Sequence, residues 1–310
     1  MRSLLVLGLV GFMAQLVDGS LGMAYGVTSS TLLLATGVAP AAASAAVHVS
    51  EIGTTLVSGI AHHRLGNVDW RTVSIIAVPG GIGAFAGATF LSNIDGDTAK
   101  PWVAGLLLAL GVYVLYRFLR LGGRRPQFRG KVAAPFLVPL GLVAGLMDAI
   151  GGGGWGPVGT PTLLASGRME PRKVIGSIDT SEFVVAVGGS LGFLLALGSQ
   201  GIDWAFAAAL LIGGVIAAPI AATLVRFLPP RVLGVAVGGV IVLTNLKTLA
   251  EVIGVPGITI AVLASMVFTL WVLWVAYAVK LEEADREGGG EAPQDRVRAH
   301  AVGDLAGHGV

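Results

Sequence analysis

Residues 9–37 read LVGFMAQLVDGSLGMAYGVTSSTLLLATG, and residues 142–167 read LVAGLMDAIGGGGWGPVGTPTLLASG. Both segments are apolar, and both are interrupted near their middle by glycines and by one aspartate, Asp18 or Asp148. When two hydrophobic segments at corresponding places in two halves of a chain are broken by glycine, they indicate the binding site of a secondary transporter. The pair therefore predicts a membrane protein built from two related halves.

The likeness between the halves continues beyond these segments. ASAAVHVSEIGTT at 43–55 matches VIGSIDTSEFVVA at 174–186, and GNVDW at 66–70 matches GIDW at 201–204. One glycine-rich run alone is a weak signal, whereas the same succession of motifs found twice is a strong one. The chain is therefore interpreted as a duplicated unit.

The composition is that of a membrane protein. Hydrophobic residues make up 54% of the chain and charged residues only 12%, against about 25% charged in a typical soluble domain. The mean hydropathy is +0.82. The chain has no cysteine, which excludes disulfides, thiolate metal sites and cysteine nucleophiles.

Seven stretches are predicted to cross the bilayer, because each approaches or exceeds the length of about 20 apolar residues that a crossing helix needs. They are 41–62, 72–92, 102–119, 174–197, 204–225, 231–249 and 257–279. The segments 3–35 and 132–166 are each too long for one crossing, and the pieces on either side of the break look too short for one. Each is therefore predicted to form a broken or re-entrant helical hairpin, which is tolerated where protein or water covers the irregular backbone.

The distribution of Lys and Arg predicts the orientation, because cytoplasmic loops carry an excess of both. The linker 120–131 holds five of them and is placed in the cytoplasm. Counting crossings from this linker puts the basic loops inside and the others outside: 63–71, 168–173 and 226–231 face the cytoplasm, and 36–41, 93–100 and 198–203 face outward. Asp69 and Asp203, each directly before a tryptophan, are predicted helix N-caps.

This orientation opens the first hairpin to the outside and the second to the cytoplasm, so the halves form an inverted repeat. The predicted fold is all-α and polytopic, with a broken or re-entrant hairpin plus three transmembrane helices in each half and one extra C-terminal helix. The predicted divisions are a first repeat, a basic cytoplasmic linker, a second repeat, an additional helix and a disordered cytoplasmic tail, at 1–119, 120–131, 132–249, 250–280 and 281–310.

Over residues 5–279 the chain resembles the TauE/SafE sulfite exporter family of bacterial permeases for sulfite and organosulfonates. The motifs that carry the resemblance occur in the same order in both halves. They are DGSLG at 18–22 and GGGGWGP at 151–157, then Pro40 and Pro171, then HVSE at 48–51 and DTSE at 179–182, with GNVDW at 66–70 completing the first half. The resemblance implies transport of a small sulfur anion across a bacterial plasma membrane.

A small oxyanion needs hydrogen-bond donors and a positive potential, which helix N-termini supply through free N–H groups and the helix dipole. The second half-helix of each hairpin begins just after its break, so the two breaks are predicted to meet at one substrate site. Its expected residues are Ser20, Gly22, Tyr25, Thr28, Ser29, His48, Ser50, Gly152, Gly153, Gly154, Trp155, Thr160, Ser177, Thr180 and Ser181.

Acidic residues inside membrane segments mark ion pathways or proton relays. Glu51 and Glu182 stand at equivalent places, and they are proton-coupling candidates together with Asp179. Structural hydrogen bonding is the alternative for each of them. Asp18 and Asp148 either cap the half-helix that follows or coordinate an ion.

The predicted function is export of sulfite or of an organosulfonate such as sulfoacetate by alternating access, with proton coupling as an option. An anion channel or uniporter, or a transporter of another small solute, stays open as an alternative. A metal cation as cargo is disfavoured, because few carboxylates beyond Glu51, Asp179 and Glu182 are expected within the membrane. An enzyme is not predicted, since no catalytic motif occurs. Neither a cofactor nor a metal is predicted, and the expected partners are the anion and the bilayer, without nucleic acid; a homodimer is compatible with the sequence.

Overall fold

In a computed structural model, the described residues are 2–21, 23–120, 131–166, 168–224 and 230–288. They form eleven α-helices, one short 3-10 helix at Ser199–Gly201 and no strand. The first half contains α1 (Arg2–Leu21), α2 (Tyr25–Ala35), α3 (Pro40–Arg64), α4 (Trp70–Ser92) and α5 (Gly96–Leu119). The remainder contains α6 (Ala134–Gly151), α7 (Trp155–Ala165), α8 (Pro171–Leu197), α9 (Trp204–Leu224), α10 (Pro230–Val252) and α11 (Gly257–Gly288).

Local sequence signals set several helix starts. Pro40 and Pro171 stand in the first turn of α3 and α8, where the missing N–H of proline costs nothing. Asp203 caps α9 as predicted, because its Oδ1 accepts hydrogen bonds from the next two free N–H groups at 3.1 and 3.0 Å. Asp69 holds the N-cap position of α4 without capping the backbone; its Oδ2 accepts instead from the hydroxyl of Thr72 at 2.7 Å.

Seven helices within the described residues are long and apolar enough to cross a membrane: α4, α5, α6, α8, α9, α10 and α11. The predicted crossing at 41–62 is helix α3, which falls outside this set because polar residues such as His48 and Glu51 lie along it. Helix α6, with 18 residues, belongs to the set. The expectation that both arms of each hairpin are too short to cross is therefore wrong for α6. The apolar part of α1, Leu4–Gly19, is shorter than a crossing helix, and α2 and α7 have only 11 residues each.

The first arm of each hairpin packs against a helix of the other half. Helix α6 lies along α4, and α1 lies along α9. Both contacts are close: a methyl group at Gly145 would overlap the carbonyl of Gly80, and one at Gly213 would overlap the carbonyl of Gly8. Glycine at these positions lets two backbones approach more closely than any other residue allows.

Helices α3 and α8, which carry the equivalent HVSE and DTSE motifs, also pack against each other. Gly59 near the end of α3 faces Thr180 early in α8, and Gly189 later in α8 faces His48. The two equivalent helices therefore run antiparallel at the centre of the protein.

Helix α11 packs on α10 and leaves most of its surface exposed. It continues to Gly288, so the boundary predicted at 280 falls short of its end. Most of the predicted linker, residues 121–130, and the tail from 289 onward lie outside the described residues.

Candidate functional site

In each hairpin the carboxylate of the aspartate beside the break accepts hydrogen bonds from backbone N–H groups at or just before the start of the helix that follows. Oδ1 of Asp148 accepts hydrogen bonds from the N–H of Gly154 at 2.6 Å and from that of Trp155 at 2.9 Å. In the first half, Oδ1 of Asp18 accepts from the N–H of Tyr25 at 3.3 Å. Both aspartates thus cap the second half-helix of their own hairpin, as one of the two sequence interpretations had it. These N–H groups are therefore not free for an anion in this conformation, contrary to the expectation for the helix N-termini.

The second break is in direct contact with helices of the first half. The hydroxyl of Ser30 on α2 donates to the carbonyl of Gly152 at 2.6 Å, and that of Ser44 on α3 donates to the carbonyl of Ala149 at 2.6 Å. A methyl group added at Gly26 would lie only 2.7 Å from the carbonyl oxygen of Gly152 and from the Cα of Gly153. The second break therefore lies against α2 and α3 of the first half.

His48, Glu51 and Asp148 form a buried group that we call the histidine cluster. One donor atom from each lies within 4.8 Å of the others, and the three side chains are at most 1% exposed. Nε2 of His48 lies 3.2 Å from Oδ2 of Asp148. Nδ1 of His48 lies 2.9 Å from the carbonyl oxygen of Ser44. Glu51 brings two carboxyl oxygens that find no hydrogen-bond partner among the described residues.

Asp18, Asp179 and Glu182 form a second buried group, the carboxylate cluster, with donor atoms again within 4.8 Å of one another. All three side chains are buried. Nε2 of His62, near the end of α3, lies 3.8 Å from Oδ2 of Asp179. This cluster therefore has carboxylates at all three of its positions, with an imidazole at its edge.

The two clusters correspond residue by residue. The motif match places His48 opposite Asp179 and Glu51 opposite Glu182, while Asp148 matches Asp18. In each cluster the long helix of one half contributes two side chains and the break of the other half contributes the aspartate. The aspartate of each half therefore completes the cluster on the long helix of the other half.

Most hydroxyl groups expected at the substrate site are already engaged. Those of Ser50, Thr180 and Ser181 donate to carbonyl groups of their own helices, and the phenol of Tyr25 lies 3.0 Å from the hydroxyl of Ser50.

Other expected residues hold the structure around the site. The hydroxyl of Ser177 accepts from the N–H of Asp69 at 2.8 Å, and the indole N–H of Trp155 donates to the carbonyl of Ile178 at 3.0 Å. Thr160 on α7 is fully buried. Residue Gly22 and the side chain of Ser20 lie outside the described part of the chain.

Two of the hydroxyl groups expected at the substrate site differ from the others. The hydroxyl groups of Thr28 and Ser29, in the first turn of α2 after the break, are buried and have no hydrogen-bond partner in the described part of the chain. Among the predicted site hydroxyls whose side chains are described, these two remain available to a substrate.

Sequence reasoning did not place Asp18 and Asp148 beside the acidic residues of α3 and α8. The expectation of few intramembrane carboxylates was therefore wrong: five carboxyl groups and one imidazole meet in the two clusters. The sequence signal that could have indicated these clusters is that Asp18 and Asp148 are equivalent, since residues at matching positions of a repeat tend to have the same role in both halves.

Comparison with known proteins decides the family. Residues 7–248 match the model of the family described as "Sulfite exporter TauE/SafE". The chain belongs to the TauE/SafE family. It is 51% identical over 254 residues to the probable membrane transporter protein YtnM of Bacillus subtilis, covering 80% of this chain and 83% of that protein.

More distant TauE/SafE relatives share less of the sequence. The probable membrane transporter protein YdhB of Bacillus subtilis is 25% identical over 59% of this chain and 74% of its own length. A probable membrane transporter protein of Xylella fastidiosa (strain 9a5c) is 27% identical over 67% of this chain and 78% of its own length. No solved structure matches the chain. Family and seven apolar helices together make this a multi-pass membrane transporter.

Proposed function

We propose that this transporter exports a small sulfur-containing anion, sulfite or an organosulfonate such as sulfoacetate, across the bacterial plasma membrane. The observation that carries the proposal is the family match over residues 7–248. The free hydroxyl groups of Thr28 and Ser29 support it, since a buried donor without a partner gains a hydrogen bond when an oxyanion arrives. Both lie in the turn of α2 that the second break touches.

The proposed mechanism is alternating access. It is supported by the antiparallel packing of the equivalent helices α3 and α8 and by the aspartate that each half contributes to the cluster of the other, since two inverted units around one central site give a transporter two symmetry-related conformations. The burial of all six cluster side chains is what a conformation closed to both sides requires.

We assign proton coupling to the carboxylate cluster. Three carboxylates within 4.8 Å of one another repel each other strongly in a medium of low dielectric constant, and they would repel a bound anion as well. A proton on Asp179 or Glu182 relieves both repulsions. Binding of the anion and of the proton is then favourable together, which couples their movements.

The test is transport of sulfite, sulfate, thiosulfate, taurine and sulfoacetate into proteoliposomes at a series of pH values and membrane potentials. The wild-type protein is expected to accumulate one sulfur anion in response to a pH gradient alone. Glu182→Gln is expected to keep binding that anion while its rate loses most of its pH dependence. Glu251→Gln is the matched control, since Glu251 is half-exposed and pairs with Lys247 on the surface of α10.

Several results would contradict the proposal. Transport of none of the anions by correctly folded protein would remove the substrate assignment. Flux that follows the membrane potential alone, with no accumulation from a pH gradient, would identify a uniporter or channel. A wild-type pH profile in Glu182→Gln would remove the carboxylate cluster from coupling.

A further inference from the structure

The orientation of His48 determines which of its nitrogens carries hydrogen. Nδ1 lies 2.9 Å from the carbonyl oxygen of Ser44, and a carbonyl oxygen only accepts. The hydroxyl of Ser44 gives its own hydrogen to the carbonyl of Ala149, so it has none to offer Nδ1. Nδ1 therefore carries the hydrogen, and in the neutral ring the lone pair is on Nε2.

That lone pair faces another electron-rich atom. Nε2 of His48 lies 3.2 Å from Oδ2 of Asp148, while Oδ1 of the same carboxylate accepts the two N–H groups of the α7 cap. Two lone pairs at this distance repel unless a cation lies between or beside them. The contact therefore requires a positive species at this point, which is either a second proton on the imidazole or a metal ion.

Glu51 adds a third donor at the same place. Its carboxyl group is 1% exposed, and neither of its oxygens has a hydrogen-bond partner among the described residues. A buried carboxyl group without any partner is expensive, so its position beside His48 and Asp148 indicates a ligand that completes it. The site thus offers one imidazole nitrogen and two carboxylate oxygens.

We propose that the histidine cluster binds a divalent transition-metal ion such as Zn²⁺. The carbonyl of Ser44 orients the imidazole in the way that metal-binding histidines are usually held. Ligand atoms around a tetrahedral Zn²⁺ with bonds of about 2.1 Å lie about 3.4 Å apart, which fits the His48–Asp148 distance and the 4.8 Å limit for the whole group. Two carboxylates neutralise the ion, which makes its burial feasible.

The repeat explains why only one of the two clusters has this chemistry. At the position of His48 the second half has Asp179, so none of the three residues of the carboxylate cluster is the imidazole that favours zinc, nickel or copper over harder cations. The imidazole of His62 lies at the edge of that cluster, 3.8 Å from Asp179, and is not one of its three members. The two halves thus specialise: one cluster is suited to a metal ion and the other to protons. This departs from the sequence-based expectation of no metal, which had not placed Asp148 beside α3.

The experiment measures metal binding without any transport. Protein purified in detergent, with an affinity tag free of histidine, is stripped with a chelator and equilibrated with Zn²⁺. After gel filtration, bound zinc is counted by mass spectrometry, and Co²⁺ in its place reports coordination through its visible absorption. We expect one ion per chain, and at least tenfold weaker binding together with loss of the Co²⁺ bands in Glu51→Gln and in His48→Gln.

Glu51→Gln is the sharpest variant, because the lost oxygen has no hydrogen-bond partner among the described residues. Glu182→Gln, its equivalent in the carboxylate cluster, is the matched control and should keep full binding. Absence of stoichiometric zinc and cobalt from the monodisperse wild-type protein would overturn the proposal, as would binding that is unchanged in both Glu51→Gln and His48→Gln. Since no sulfur anion is present, neither outcome depends on the transport proposal.

Discussion

Nε2 of His48 and Oδ2 of Asp148 lie 3.2 Å apart, and the two residues come from opposite halves of the chain. His48 lies on α3, whereas Asp148 lies in the last turn of α6, just before the second break. The contact joins the duplicated units inside the histidine cluster. Any movement of one half relative to the other must therefore change this contact, which ties the chemistry of the clusters to the conformation of the transporter.

The first prediction concerns the contact between the second break and α2. A side chain at Gly153 would collide with the backbone N of Val27, so Gly153→Leu must push the second break away from α2. We expect membrane insertion to continue and transport to fall at least tenfold, with a stability loss of about 1–3 kcal/mol from overpacking. Expression in the membrane fraction, thermal unfolding and proteoliposome flux measure the three effects.

Gly105→Leu is the control for this prediction, because no atom lies within 4 Å of a methyl group placed at Gly105. It should transport at close to the wild-type rate. Equal activity of the two variants would show that the contact between the second break and α2 is not needed for transport.

The positions of the breaks were predictable, because glycine and the capping aspartate are local signals. The interpretation of Asp18 and Asp148 as caps needed only their spacing from Tyr25 and Trp155. The partner of His48 was not predictable in the same way. A motif match shows that His48 and Asp179 are equivalent, but whether each meets the break of its own half or of the other depends on long-range packing. Helix α6, in turn, proved longer than expected, because no residue before the second break ends it early.

The second prediction concerns the caps. Asp148→Ala removes the acceptor of two N–H groups at the start of α7, so the free energy of unfolding should fall by about 1–2 kcal/mol. Asp148→Asn keeps an acceptor oxygen in the same place and should lose less. Thermal unfolding in detergent compares the two variants. An alanine variant as stable as the wild type would mean that the cap contributes nothing.

The third prediction concerns backbone strain at the first break. Ala24 has φ 107° and ψ −4°, a left-handed conformation that costs a residue with a side chain about 1–2 kcal/mol. In the second break the positive φ angles fall on glycines, Gly152 and Gly153. Ala24→Gly should therefore raise the unfolding temperature, since the relief of strain exceeds the added flexibility of the unfolded chain.

Gly37→Ala tests the same reasoning in the opposite direction. Gly37 has φ 91° and open space around it, so a methyl group there meets strain without any clash. The variant should lower the unfolding temperature. If both substitutions shift it in the same direction, backbone strain is not what determines stability at these positions.

The last prediction concerns topology, and it rests on the Lys and Arg content of the loops. Because the chain has no native cysteine, single cysteines report one site at a time. Asp97→Cys, Gln200→Cys and Arg168→Cys replace exposed residues. Helix α8 starts shortly after Arg168 and ends shortly before Gln200, so one crossing must separate those two positions. A membrane-impermeant maleimide added to intact spheroplasts should label positions 97 and 200 and should reach position 168 only after lysis.

Labelling of 97 or 200 only after lysis would reverse the orientation and place the linker 120–131 outside. Labelling of 168 and 200 from the same side would show that α8 does not cross the membrane at all.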